Sequence, residues 1–205
     1  MKILKYALIL LLVLSCRDDQ VSDFQSKIGS EGNVILLTLD GVRYEEFFNK
    51  DIFRTFWAEH AEKGLVLGDP KKNSRVRIAN TVMLSLPGYK TMHKGGRVLC
   101  RTNKCGPAKV ETLGEKLQRV NKSWKNTDIA IISSWHKICD AAMREKRTLF
   151  HSCGDMKIDL PGHFYLNEMQ EAAPPIWGGR YDKYTFEHGM KIIEEHKPRF
   201  MHLSL

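Results

Sequence analysis

The chain has no glycine-rich phosphate loop: neither G-x-G-x-x-G nor G-x-x-x-x-G-K occurs in its 205 residues. That removes the usual dinucleotide and nucleoside-triphosphate cradles. It has no His-x-x-x-His pair and no His-Asp cluster, so a self-contained zinc site of common spacing is missing as well. No apolar run reaches the length of a membrane-spanning helix. Internal repeats and low-complexity tracts are lacking, which excludes solenoid arrays and compositionally biased linkers. Acidic excess is lacking too, since 32 Lys and Arg face 24 Asp and Glu for a net charge of +8. The basic residues are scattered and not interleaved with aromatics, the pattern of a solvated surface and not of a nucleic-acid stripe. No nucleic-acid partner is expected.

What is present is a composition with 42% hydrophobic residues, enough for one sizeable core in one domain. At the N-terminus, Lys2 and Lys5 precede an apolar stretch from Tyr6 to Leu14, then Ser15 and Cys16. A basic flank and a short apolar segment predict a secretory signal over residues 1–15. The run "VLSC" resembles the bacterial lipobox, which makes Cys16 the expected lipid-anchor residue and the membrane a partner through that lipid. Residues 16–31, polar and containing Gly and Ser, are expected to form a tether ahead of a folded part spanning 32–205. These signals place the protein at the bacterial cell envelope, lipid-anchored and either periplasmic or surface-exposed.

Four further cysteines, Cys100, Cys105, Cys139 and Cys153, are candidates for disulfides in an exported chain. "CRTNKC" reads as a short disulfide loop, because no second close pair completes a metal knuckle. A Cys139–Cys153 bridge would complete the set, though spacing alone does not fix the connectivity.

Strand and helix patterns alternate along the rest. "NVILLTL", "DIAIISS" and "RFMHLSL" are bare apolar runs that fit interior strands, and "GLVLG" reads as a shorter one. Helical pattern is expected over most of "YEEFFNKDIFRTFWAEHAEK", in "TVMLSLPGYKTMHKGG", which reads as a turn running into a helix, and in "KVETLGEKLQRV", where Val110, Leu113, Leu117 and Val120 share a face. It returns with Phe186, Met190 and Ile193. Residues 144–180 lack a clear period and read as a loop-rich insertion. The implied fold is α/β: a doubly wound, mainly parallel sheet with helices on both faces. A sheet ending at an interior strand would leave that strand's edge exposed.

In such a sheet ligands gather at the carboxyl ends of strands, where Asp40 falls, with Gly41 to turn the chain. Asp40 there suits a metal or a ribose, and the bland alternative is a helix N-cap serving "VRYEEFF". A ribose role lacks its phosphate loop. The second constellation is "SLPGYKTMHKG", residues 85–95, in which Ser85 stands before Pro87; the bland alternative is an ordinary N-cap.

Taken together, "NVILLTLDGVR" and "SLPGYKTMHKG" resemble the alkaline phosphatase superfamily, particularly its nucleotide pyrophosphatase/phosphodiesterase and sulfatase-like branches. The resemblance spans roughly residues 33–205, with only the Asp40 and Ser85 regions motif-grade. It implies an alkaline phosphatase-like fold in which Asp40 and Ser85 are metal ligands and Ser85 is also the nucleophile. Two divalent ions, zinc or manganese, would serve it, with a small anionic phosphate or sulfate ester as substrate. Coordination by a metal explains how a serine attacks without a histidine base. Arg180, Asp182 and Thr185 precede a helix much as they would in that superfamily.

The departures are specific. Pyrophosphatase-type members carry an Asn directly after the motif proline, where Gly88 stands here, and Asn80 is the candidate replacement for holding an ester oxygen. Lys94 takes the place of a small residue and is a second substrate-binding candidate. The superfamily's remaining ligands follow the strand resembling "RFMHLSL", and His202 inside it is expected to pack and not to ligate. The expectation is therefore an N-terminal fragment, incomplete at the C-terminus and inactive as it stands. The alternative is a non-catalytic surface lipoprotein that keeps the α/β scaffold as a binding module.

Overall fold

The computed structural model describes residues 32–69, 71, 76, 78, 80–176 and 178–205. The predicted signal, Cys16 and the tether lie outside the described residues. No described helix is long and apolar enough to cross a membrane.

Bare apolar runs become strands because only a sheet satisfies their backbone while burying both faces. The strands are β1 (Val34–Thr38), β2 (Ile129–Ser133), β3 (Phe150–Cys153) and β4 (Phe200–Ser204). They form one parallel sheet in the order β1-β4-β2-β3. The helices are α1 (Tyr44–Phe47), α2 (Ser85–Lys94), α3 (Leu113–Val120), α4 (Lys137–Ala142), α5 (Phe164–Ala172) and α6 (Asp182–His196). Alternation along the inner strands sends Ile129, Ile131 and Phe200 into a core with Leu86 and Tyr89 of α2 and Ile138 and Ala142 of α4. It sends Ala130, Ile132, Met201 and Leu203 to the opposite face, against Ile192 of α6. The fold is thus α/β with helices on both faces of a parallel sheet.

Several expectations are corrected. Among the described residues β1 is an edge strand and not an interior one: Val34, Ile35 and Leu37 are roughly half exposed. The final strand β4 has both edges paired, so the open edges of the described sheet belong to β1 and β3. "GLVLG" is not a strand, and the long helix expected after Asp40 is broken into α1, a π-turn at Phe56–His60 and a 3-10 turn at Ala61–Lys63. The loop-rich stretch 144–180 holds both β3 and α5.

Two helix faces are rotated from the expected ones. On α3, Leu113 and Val120 are exposed, as is Val110 ahead of the helix, while Gly114 and Glu115 face inward. Gly114 is required there, since an added Cβ would come within 2.6 Å of Leu149 Cδ1. Glu115 is buried because it closes a capping box with Thr112 and accepts from the Arg144 backbone N–H and Nε. On α6 the inward stripe is Thr185, His188, Gly189 and Ile192, and Phe186 is half exposed.

Disulfides join Cys100 to Cys105 and Cys139 to Cys153. The second ties α4 to β3 across a sequence separation of 14 residues. Loop-closure entropy assigns a cross-link of that span about 3 kcal/mol. Replacing both cysteines with alanine is expected to lower the urea-unfolding free energy by about that amount; a loss under about 1 kcal/mol would mean that packing alone holds α4 on β3.

Candidate functional site

The carboxyl ends of the strands carry the candidate site. Asp40 lies two residues past the end of β1, and the ladder continues to it: Asp40 N–H donates to the Leu205 carbonyl at 2.9 Å, and Leu205 N–H donates to the Thr38 carbonyl at 3.0 Å. Gly41 then turns the chain at φ +79°, a left-handed conformation that favours glycine. The carboxylate is therefore fixed from behind by backbone while its oxygens face outward.

Opposite it begins α2, and here both bland alternatives fall away. Leu84, not Ser85, occupies the N-cap position of α2, and no side chain caps it. Arg43, not Asp40, is the N-cap of α1. Instead the Ser85 hydroxyl donates to Asp40 Oδ1 at 3.2 Å, joining residues 45 apart in sequence. The Leu86 N–H, one of the helix's free first-turn donors, is taken by Asn103 Oδ1 at 3.0 Å. Asn103 lies inside the Cys100–Cys105 loop, so that cross-link steadies the start of α2. Nothing in the sequence pattern marks Asn103 for this task.

The pair opens onto a cleft of about 750 Å³ lined by Thr38, Leu39, Asn80, Val82, Met83 and Met92, among others. Asn80 joins Asp40 and Ser85 here: its Nδ2 is buried without a partner and lies 3.9 Å from where a Cβ on Gly88 would sit. Lys94 does not join them. It closes the far end of α2, nine residues and about 13 Å from Ser85 along the axis, and its Nζ donates to the Arg97 carbonyl. Gly95, at φ +71°, ends the helix just beyond.

Two oxygens bound to one zinc ion at about 2.1 Å each lie roughly 3.0–3.4 Å apart. The Ser85–Asp40 separation of 3.2 Å is one that a shared cation accepts. Among the described residues no group of three or more His, Cys, Asp or Glu is gathered for a metal.

Arg180, Asp182 and Thr185 collect at the ends of β2 and β3. Arg180 is 3% exposed and donates to the carbonyls of Ser133 and Ser152, to Ser152 Oγ and to Thr185 Oγ1. Burial lowers its guanidinium to about 10. Ser134 Oγ donates to Asp182 Oδ1 at 2.5 Å and lies 2.8 Å from Thr185 Oγ1. This network braces the ends of β2 and β3, and Arg180, Asp182 and Thr185 do not line the cleft.

Comparison with known proteins finds no matching family model, no matching curated protein and no matching solved structure. The reading of the site therefore stands on its residues and geometry.

Proposed function

We propose that this chain carries the nucleophile and the first metal ligand of a metal-dependent hydrolase of phosphate or sulfate esters, with an alkaline phosphatase-like arrangement of sheet and site. The observation that carries the reading is the 3.2 Å contact between Ser85 Oγ and Asp40 at the carboxyl end of β1, with neither residue spent on a helix cap. Asp40 and Ser85 would hold a divalent ion, zinc or manganese, that lowers the Ser85 hydroxyl's pKa and offsets charge on the ester oxygens. A second ion, and the four or more ligands such ions take, call for groups beyond these two.

The chain's own contribution is positioning. Ser85 Oγ attacks phosphorus or sulfur in line; the new O–P or O–S bond forms as the bond to the alcohol oxygen breaks, and the alcohol leaves with a proton. Water then cleaves the serine ester and restores the hydroxyl. The positive end of α2 and the unpartnered Asn80 amide face the anionic oxygens throughout. In the same proposal a lipid on Cys16 holds the enzyme at the bacterial envelope, near small anionic esters.

The test takes the chain with whatever coding sequence continues past Leu205 and assays p-nitrophenyl phosphate, bis-p-nitrophenyl phosphate and p-nitrophenyl sulfate with zinc or manganese. Hydrolysis of at least one ester is expected, and Ser85→Ala should lower kcat by roughly 10³-fold or more. Activity untouched by that substitution, or no turnover of any ester, sinks the reading.

A further inference from the structure

The nucleophile helix and the strand bearing Asp40 are linked by a polar chain inside an otherwise apolar core. His93 Nε2 lies 2.9 Å from His202 Nδ1, and His202 Nε2 lies 3.0 Å from Thr38 Oγ1. Both imidazoles are at most 2% exposed. Thr38 stands two residues before Asp40 on β1, His202 is on β4, and His93 is in the last turn of α2, whose first residue is Ser85. The ring of Tyr89, also on α2, packs on His202 at 5.9 Å.

We propose that the His93–His202 pair, anchored on Thr38, is the positioning device that holds Ser85 at hydrogen-bonding distance from Asp40. The proposal rests on reading Ser85 and Asp40 as the working pair. Apolar contacts such as those of Leu86 are non-directional and let a helix slide over a sheet with little change in burial. A slip of one residue moves a helix about 1.5 Å along its axis. That is enough to part a hydroxyl from a carboxylate 3.2 Å away. Hydrogen bonds fix the register, because their strength falls steeply with distance and angle.

The direction of the chain follows from what is left over. His93 Nδ1 is buried with no partner. If His93 Nε2–H donates to His202 and His202 Nε2–H donates to Thr38, the orphan is a lone pair; the reverse direction strands an N–H, the rarer defect. Thr38 then accepts from His202, and its own hydrogen is free for the cleft that it lines. Thr38, His202 and His93 are positioning residues: none of the three is placed at the reacting atoms.

A thiol at position 85 reports the geometry without any catalysis. In a Cys16→Ser background the four remaining native cysteines are paired, so Ser85→Cys introduces the single free thiol. The Asp40 carboxylate disfavours the thiolate, so adding Asp40→Asn is expected to speed iodoacetamide alkylation at pH 7.5 by about 10-fold. Thr38→Val and His202→Leu should each shrink that Asp40→Asn effect to about 2-fold or less, while His93→Gln, whose amide N–H takes over the donor, should restore most of it. Near-UV circular dichroism identifies folded variants. If His202→Leu fails to fold, the shape-conserving Thr38→Val decides. A full 10-fold effect in folded Thr38→Val overturns the proposal, as does no Asp40→Asn effect in the parent. Loss of coupling in these variants, with no ester turnover by the chain that keeps Ser85, would retire the hydrolase reading and leave the positioning device standing.

Discussion

Lowering the pH from 7 to 4 is expected to strip the chain of most of its stability and to unfold it with uptake of several protons. Four imidazoles, those of His93, His163, His188 and His202, are at most 2% exposed. They form two pairs, His93 with His202 and a stacked His163–His188 pair whose Nδ1 atoms are 2.7 Å apart. Burial holds His93 down at about 4, and burial with His93 beside it holds His202 at about 3. Burial, with Arg180 and His163 nearby, takes His188 to about 3. His163 is also lowered, by burial first, with Lys191, His196 and Arg180 adding to the effect and Glu195 opposing it.

A folded-state value depressed below the unfolded 6.5 means that the unfolded chain binds protons first as the pH falls. The stability contributed by these neutral imidazoles is therefore complete above about 6.5 and is lost progressively between there and about 3, with His93 spent first at about 4. Each proton taken up contributes up to about 1.4 kcal/mol per pH unit, so four together approach about 5 kcal/mol per unit at the steepest point. A small domain has only about 5–15 kcal/mol in all. Urea unfolding at half-unit pH steps checks this; a flat profile from 6.5 to 4.5 would mean that the imidazoles are not buried in their neutral form.

Arg180→Met should cost about 3 kcal/mol or more. The methionine fills much of the same space, but it leaves the Ser152 carbonyl and hydroxyl and the Thr185 hydroxyl short of a donor and weakens the set at the Ser133 carbonyl. Each buried acceptor without a partner costs about 1–3 kcal/mol. The preceding residue confirms how closely this corner is built: at Gly179, φ is +83° and an added Cβ would meet the Ser134 carbonyl oxygen. Arg180→Lys should recover little, since one ammonium cannot span acceptors on β2, β3 and α6 that the planar guanidinium reaches together. Chemical denaturation measures both variants, and a loss below about 0.5 kcal/mol for Arg180→Met would show the network to be dispensable.

The inner strands were legible because continuous apolar residues have few other ways to be satisfied. The place of β1 was not, because "NVILLTL" reads the same whether its partner strands number one or two. β3 was missed because "FHSC" alternates aromatic, imidazole, hydroxyl and sulfur, and its burial comes from tertiary neighbours and not from composition. The helix faces shifted where polar groups are buried with partners: Glu115 with Thr112 and Arg144, His188 with His163. At the site, Asp40 and Ser85 were readable as motif residues, and the structure brings them together. Asn80 also reaches the cleft, whereas the ten-residue helix carries Lys94 away from it. The His93–His202 contact, across 109 residues of sequence, had no local signature at all.

Among the described residues, the strand that presents Asp40 is hydrogen-bonded along one side only, to β4. Its outward-facing amides have no ladder among the described residues, so local fraying of β1 is a smaller excursion than opening the sheet between β4 and β2. Because Asp40 hangs from the last rungs of that ladder, every fraying event also withdraws the carboxylate from Ser85. Occupancy of the site and order of β1 are then one equilibrium, and amide-hydrogen protection of residues 34–40 is the signal in which ligand binding at Asp40 would be read most directly.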